Sequence, residues 1–140
     1  MIHSQMEKVV AALPTAVGTA DVTLTVDTLG YDYASLTVAR ASNASTVFAS
    51  ALKIEEGDTT SSYSNVSGFV GGTDFTIPAV SDTASVSVVK LDVDTKARKR
   101  YLKVTATPAV SVNTVISGRL SRGDGPTTAA EAGVIGWVKG

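Results

Sequence analysis

Apolar and polar residues alternate with a period of two along most of this chain. The stretch DVTLTVDT places Val22, Leu24 and Val26 on one side and polar residues on the other. The same alternation runs through ASLTVARA, FASALKIEEGD, TDFTIPA, YLKVTATP and VNTVISGRL, and GVIGWVKG is expected to form a short final strand. Strands that bury one face have this period, and Gly, Ser, Asn and Asp separate these segments. The pattern predicts an all-β fold, an antiparallel sandwich or barrel, and of these we expect an antiparallel β-sandwich of jelly-roll or Greek-key type.

One segment changes phase within its length. In ASVSVVKLDVD, Val86 and Val88 share one side, whereas Val89, Leu91 and Val93 share the other. A β-bulge near Val88 and Val89 would bring both sets to the same side. The alternative is a strand that is apolar on both faces, as in a sandwich core or a subunit contact.

The N-terminal stretch departs from the alternation. Ser4 and Glu7 have the form of a helix capping box, and Pro14 would end a helix. The apolar residues at helical spacing are Ile2, Met6, Val9, Val10 and Leu13. An extended arm that orders on a partner is the alternative. We expect a short N-terminal arm or helix over residues 1–14 and a single β-sandwich domain over residues 15–140.

Residues that could support catalysis are scarce. The chain has no cysteine and one histidine, His3, which argues against thiolate metal sites and against Ser-His or Cys-His nucleophiles. Carboxylates cluster at Glu55, Glu56 and Asp58, but they match no calcium-binding motif, and such clusters are usually solvated turns. We expect no catalytic residue, no metal site and no cofactor, and therefore a non-enzymatic protein.

The segment KARKRYLKVTATP is basic at its start, although the whole chain has a formal net charge of -1. A hairpin with the preceding segment would set Arg98, Lys99 and Arg100 against Asp92 and Asp94. Nucleic-acid binding would require a broad basic patch with stacking aromatics, and the isoelectric point is about 5.7. We favour the hairpin and expect no nucleic-acid partner.

Two further observations concern location and short motifs. No apolar run approaches the roughly 18 residues of a membrane helix, and the N-terminus lacks the form of a signal peptide. We therefore expect a soluble protein with no membrane partner. The Arg122, Gly123, Asp124 triplet matches an integrin-binding tripeptide, but Gly-Asp-Gly-Pro is typical turn chemistry.

Two segments carry a resemblance to a known family. LKIEEGDTTSSYSNVSGF, residues 52–69, combines an apolar strand, an acidic turn, and an aromatic residue followed by Asn-Val-Ser-Gly. DTKARKRYLKVTATP, residues 94–108, combines a basic start with a Tyr-Leu-Lys-Val strand. Over residues 34–120 the chain resembles phage capsid decoration, or cement, proteins. The resemblance implies a virion structural protein on the outer surface of the capsid that bridges subunits of the major capsid protein.

The alternative function is a glycan-binding or fibre-type adhesion module on a virion surface, with Tyr31, Tyr33, Tyr63 or Trp137 available for stacking on a sugar. An enzyme that uses carboxylates is a remote third alternative.

Surplus apolar surface predicts self-association, with a trimer favoured over a dimer. The candidate capsid or subunit interface residues are Met6, Val9, Val10, Leu13, Arg98, Lys99, Arg100 and Trp137.

Overall fold

The computed structural model describes residues 6–12, 18–123 and 126–138, and these residues form eight strands. The strands are β1 (Lys8–Ala11), β2 (Val22–Asp27), β3 (Tyr33–Arg40), β4 (Ala51–Thr59), β5 (Ser62–Val70), β6 (Ser87–Asp94), β7 (Tyr101–Thr107) and β8 (Thr114–Ser121). The all-β prediction is confirmed.

The strands form two antiparallel sheets of four. Sheet I has the order β1-β8-β3-β6, and sheet II has the order β2-β7-β4-β5. The pairs β1 with β8, β2 with β7, β3 with β6 and β4 with β5 are those of one long hairpin folded back across two sheets. This is the strand order of a jelly roll, which confirms the sandwich prediction and selects between its two types.

The core lies between the inner faces of the two sheets. Alternate residues of each central strand point inward, as the burial pattern of β3 shows: every second residue from Ala34 to Arg40 is buried. Leu36, Ile54, Leu102 and Ile116 have no exposed surface. Aliphatic residues dominate because β-branched and branched side chains pack well on a pleated surface.

The two ends of the sandwich differ in their loops. Residues 28–32, 60–61 and 95–100 form short connections at the end we call the short-loop end. The opposite, long-loop end has the connections at residues 41–50, 71–86 and 108–113, and β1 also ends and β2 begins at it. The register places Asp27, Gly57 and Tyr101 side by side at the short-loop end.

The expected N-terminal arm or helix is not observed, and this prediction was wrong for residues 8–11. They form β1, which pairs with β8 from Lys8 opposite Leu120 to Ala11 opposite Ser117. Sheet pairing outweighs helical spacing over so short a stretch, because Val10 gains contact with the core. Leu13 and residues 1–5 lie outside the described residues.

The expected hairpin between the acidic and basic segments is also absent. Asp92 and Asp94 lie on β6 in sheet I, whereas β7 lies in sheet II, so the connection crosses between the sheets. The TDFTIPA and GVIGWVKG segments, predicted as strands, form no strand in their described residues; the first makes only isolated bridges, such as Gly71 with Phe75.

The phase change in β6 has a simple outcome. The register of β6 against β3 is continuous from Ser87 to Asp94, so β6 contains no bulge. Val89 is half-buried and Leu91 is buried on the inner face, whereas Val88 lies exposed on the outer face. The alternative of a strand that is apolar on both faces is therefore the correct one.

Candidate functional site

The basic loop between β6 and β7 is held by carboxylates of sheet II. Arg100 makes two hydrogen bonds to Asp27, from Nε to Oδ1 at 3.0 Å and from Nη2 to Oδ2 at 2.9 Å. Arg98 lies 3.7 Å from Glu56, and the backbone N–H of Lys99 donates to Glu56 Oε2 at 3.0 Å. All three candidate basic residues therefore have partners on neighbouring strands rather than on β6.

The pairing changes the acid–base properties of both partners. The hydrogen bond from Arg100 lowers the pKa of Asp27 below its ordinary value, and burial opposes this shift. The same hydrogen bond raises the pKa of Arg100. A carboxylate and a guanidinium that stabilise each other's charged forms lock the loop onto the end of β2. The loop thus presents compensated charge, and no broad positive patch results.

The acidic cluster of the β4–β5 hairpin is used in the same way. Glu55 lies 3.0 Å from Lys53, and Asp58 lies 3.5 Å from Lys99. With Glu56 bound to the basic loop, every carboxylate of the cluster has a cationic neighbour, which explains its position without invoking catalysis. Among the described residues no three His, Cys, Asp or Glu side chains lie close enough to hold a metal ion.

No helix in the described part of the chain is long and apolar enough to cross a membrane.

The long-loop end has a different chemistry. Its three described connections and residues 18–21 contain no Lys or Arg, and their carboxylates are Asp21, Asp74 and Asp82. Asp21 accepts a hydrogen bond from Thr107 Oγ1 at 2.6 Å, and Asp74 accepts the N–H of Gly68 at 2.8 Å. Asp82 accepts the N–H of Ala84, and hydrogen bonds led by Ser85 lower its pKa.

Each of these carboxylates is thus engaged in a local contact. Apart from these carboxylates, the exposed residues of the described connections are Ser, Thr, Ala, Val, Gly, Asn and Pro, and Val47 is 51% exposed. Because protein interfaces are depleted of charge at their centres, this end is the better candidate for docking on a protein.

An apolar patch lies on the outer face of sheet I near the same end. The register sets Ala39 of β3 between Val88 of β6 and Val115 of β8. With Ala41 and Val86 these residues form what we call the valine patch. Val86 and Val88 are 64% and 58% exposed, and a pocket of about 210 Å³ lies among Ala39, Ala41, Val86 and Val115. Farther along the face the rows become polar.

The N-terminal candidates lie beside the C-terminal segment. Met6 is half-buried, Val9 is exposed, and Val10 packs against the core. The N–H of Val9 donates to the carbonyl oxygen of Ala132 at 2.7 Å, on the edge of β1 that faces away from β8. The two chain segments therefore meet along this edge, and Trp137, farther along the C-terminal segment, is half-buried.

A single hydrogen-bonded turn, which sequence analysis missed, holds the C-terminal segment in place. Thr128 and Glu131 form a capping box: the Thr128 hydroxyl accepts the Glu131 N–H, and Glu131 Oε2 accepts the Thr128 N–H. Gly133, at a φ of +77°, ends the turn, and the N–H of Val134 reaches the carbonyl of Ala129. The sequence TAAEAG carries this capping and glycine signal.

Arg40 is a second residue that sequence analysis missed. Its side chain is 1% exposed and lies in phase with Leu36 and Val38 on the inner face of β3. Nη2 donates to the carbonyl oxygen of Ser45 at 3.0 Å, whereas Nε and Nη1 have no hydrogen-bond partner among the described residues. The alternation alone would have placed this charge inside the sandwich.

No protein-family model, no curated protein and no solved structure matches this chain.

Proposed function

We propose that this chain is a non-enzymatic phage virion structural protein that decorates the outer surface of the capsid and bridges subunits of the major capsid protein. The sequence resemblance over residues 52–69 and 94–108 motivates the proposal. The jelly roll is one of the folds that viral capsid proteins use, although a fold alone does not define a function.

The observation that carries the proposal is the contrast between the two ends of the sandwich. The short-loop end compensates its charges internally, as the Arg100–Asp27 pair shows. The long-loop end has no basic residue in its connections and uses Asp21, Asp74 and Asp82 for local hydrogen bonds. A protein that binds a capsid surface needs a rigid domain and a contact surface with few charged groups, because each charge buried on docking carries a desolvation cost. The long-loop end has such a surface.

Virion composition is the direct test. Purified particles should contain this protein in many copies, in a fixed ratio to the major capsid protein by quantitative mass spectrometry. Particles from which the protein has been stripped should release their contents at a lower temperature than intact particles do. Adding the protein back should restore the higher release temperature. Its absence from particles, or its presence in only a few copies, would refute the proposal.

Two exposed aliphatic residues at opposite ends supply a matched pair of variants for the same assay. Val47 lies at the long-loop end and is 51% exposed, whereas Leu29 lies at the short-loop end and is 67% exposed. The Val47→Asp variant should bind stripped capsids less well, because a charge would be buried in the contact. The Leu29→Asp variant should bind like the unmodified protein.

The glycan-binding alternative has one supporting observation. A groove of about 550 Å³ runs along the outer face of sheet I and is rich in hydroxyl groups. Its lining includes Ser35, Thr37, Ser117, Arg119 and Ser121. A sugar site of this kind usually adds an aromatic platform, so the surroundings of the tyrosine rings bear on this alternative.

The tyrosine rings near the sheets already have cationic neighbours. Lys96 Nζ lies 4.8 Å from the centroid of the Tyr33 ring, and Arg122 lies 5.5 Å from it. Lys103 Nζ lies 5.3 Å from the centroid of the Tyr63 ring. A ring engaged in cation–π contact is less available for stacking on a sugar, so these contacts argue against the glycan-binding alternative. Specific binding on a glycan array, with no affinity for capsids, would reverse the ranking.

A further inference from the structure

Beyond Gly133 two aliphatic side chains point away from the domain, whereas Val134 and Trp137 are half-buried. Ile135 is 109% exposed and Val138 is 98% exposed, which are the values of side chains without tertiary contact. We call residues 134–138 the tail. The capping box at Thr128 and Glu131 and the bond from Val9 to Ala132 fix the point from which the tail departs. The tail is thus a firmly anchored segment with strand-forming residues and exposed aliphatic groups.

A matching acceptor lies on the other side of sheet I. In the described part of the chain β6 has a strand neighbour, β3, on one side only, so its other edge is open. Exposed Val88 lies on the outer face of this edge strand, and half-buried Val89 lies on its inner face. An open edge with apolar groups is the kind of site to which an extended segment adds as a further strand.

The geometry of the tail fits both faces of that edge. Side chains three positions apart in a strand point to opposite faces, so Ile135 and Val138 would do so if the tail were extended. Ile135 would then lie beside Val88 on the outer face, at the margin of the valine patch, and Val138 would point to the inner face, on which Val89 lies.

The donor and the acceptor lie at opposite edges of one sheet, which favours contact between copies. The tail departs beside β1, and the open edge belongs to β6, three strand spacings or about 14 Å away. One copy can therefore donate its tail to a neighbour and accept a tail at the same time. Such a head-to-tail contact is heterologous, and it closes into a ring when the rotation between copies allows.

We propose that the tail of one copy adds as a strand to the open edge of β6 in a second copy, with Ile135 on Val88 of the valine patch and Val138 on the inner face. This inference rests on the self-association included in the proposed function and names the surfaces that carry it. Val88 and Ile135 are its central contacts.

Analytical ultracentrifugation of full-length variants tests the proposal. The tail variant Ile135→Asp/Val138→Asp cannot disturb the core, because both side chains are exposed. The dissociation constant of its self-association should be at least about tenfold higher than that of the unmodified protein, because docking would bury a charge. The patch variant Val88→Asp should behave alike, and Leu29→Asp is the matched control that should assemble normally.

Mixing the two defective variants gives a sharper result. The tail variant keeps an intact patch, and the patch variant keeps an intact tail, so each lacks a different half of the contact. Alone, both should be monomeric; mixed in equal amounts, they should form a one-to-one complex and nothing larger. A mixture that stays monomeric, or a tail variant that assembles like the unmodified protein, would overturn the proposal.

Capsid binding of the same variants separates this inference from the proposed function. If the tail variant loses capsid binding but keeps its mass in solution, the tail docks on the shell and the proposed copy-to-copy contact is wrong. If unmodified protein never appears in virions, the proposed function fails whatever its oligomeric state. Loss of assembly in the tail variant with rescue in the mixture supports the inference in either case.

Discussion

Replacement of Arg40 by methionine should make the protein more stable. Nε and Nη1 of this buried guanidinium have no partner among the described residues, and each such buried donor costs about 1–3 kcal/mol. Methionine keeps an unbranched apolar stem of similar length and has no donor. The variant loses one charge-assisted bond, from Nη2 to the carbonyl oxygen of Ser45, which contributes about 1.5–3 kcal/mol. Ser45 is half-buried, in contrast to Arg40, which is 1% exposed.

The balance favours the variant, because it also removes the desolvation penalty of the charge. We expect Arg40→Met to raise the free energy of unfolding by about 1–2 kcal/mol, within the range seen when buried ionic groups are replaced by apolar ones. Arg40→Ala should fall below Arg40→Met by about 2–3 kcal/mol, since it also removes the packed stem and leaves a cavity. Comparing the two variants separates the charge from the packing.

Urea unfolding followed by far-UV circular dichroism measures both differences. The single tryptophan, Trp137, lies outside the sheets and would report poorly on the core. An unchanged dependence on urea concentration would show that the midpoint shift reflects stability alone. If Arg40→Met proved less stable than the unmodified protein by more than about 1 kcal/mol, the guanidinium would have to be satisfied by ordered water or an ion, and the reasoning would fail.

Three further predictions concern the core, the basic loop and the tail. Leu36→Ala should lower the free energy of unfolding by about 3 kcal/mol in the same urea assay, because the side chain is fully buried; a loss under about 1 kcal/mol would contradict tight packing there. Because the pKa of Asp27 in the folded protein is below its ordinary value of 3.8, ionised Asp27 stabilises the fold at pH values above 3.8, and this contribution is lost as the pH falls through the folded-state pKa. Asp27→Asn should therefore reduce the loss of unfolding free energy at acidic pH. An unchanged loss would argue against the pairing with Arg100. Gly133→Val should detach the C-terminal turn, since a side chain there would clash with the backbone oxygen of Val9 and strain a positive φ; amide exchange at Val9 should rise, and unchanged exchange would refute the contact.

Alternation in the sequence is sufficient to predict most of the core. Val22, Leu24 and Val26 of β2 are all buried, as are Leu102 and Val104 of β7, because a strand with one buried face cannot shift by one residue without exposing its whole apolar set. Edge strands carry a weaker signal. β1 is four residues long, and its apolar positions fit a helix as well as a strand.

The partners of the basic loop could not be deduced from the sequence. Neighbouring segments along the chain suggested a hairpin, but in a jelly roll most connections pass from one sheet to the other. Arg100 therefore meets Asp27, 73 residues away, and Lys99 meets Glu56, 43 residues away. Local patterning predicts which face of a strand is buried, whereas these ion pairs depend on the order of strands in the sheet.

The pairing of the first strand with the last also constrains how the chain is made. β4 and β5 form the one local hairpin among the described strands, whereas β1, β2 and β3 find their partners in β8, β7 and β6. A nascent chain leaving the ribosome therefore holds β1, β2 and β3 without these partners until β6, β7 and β8 have emerged. Such high contact order slows folding and prolongs the exposure of strand edges. Since the tail follows β8, the segment with which we propose that copies join emerges only after every strand of the sandwich, so joining cannot precede synthesis of the sandwich.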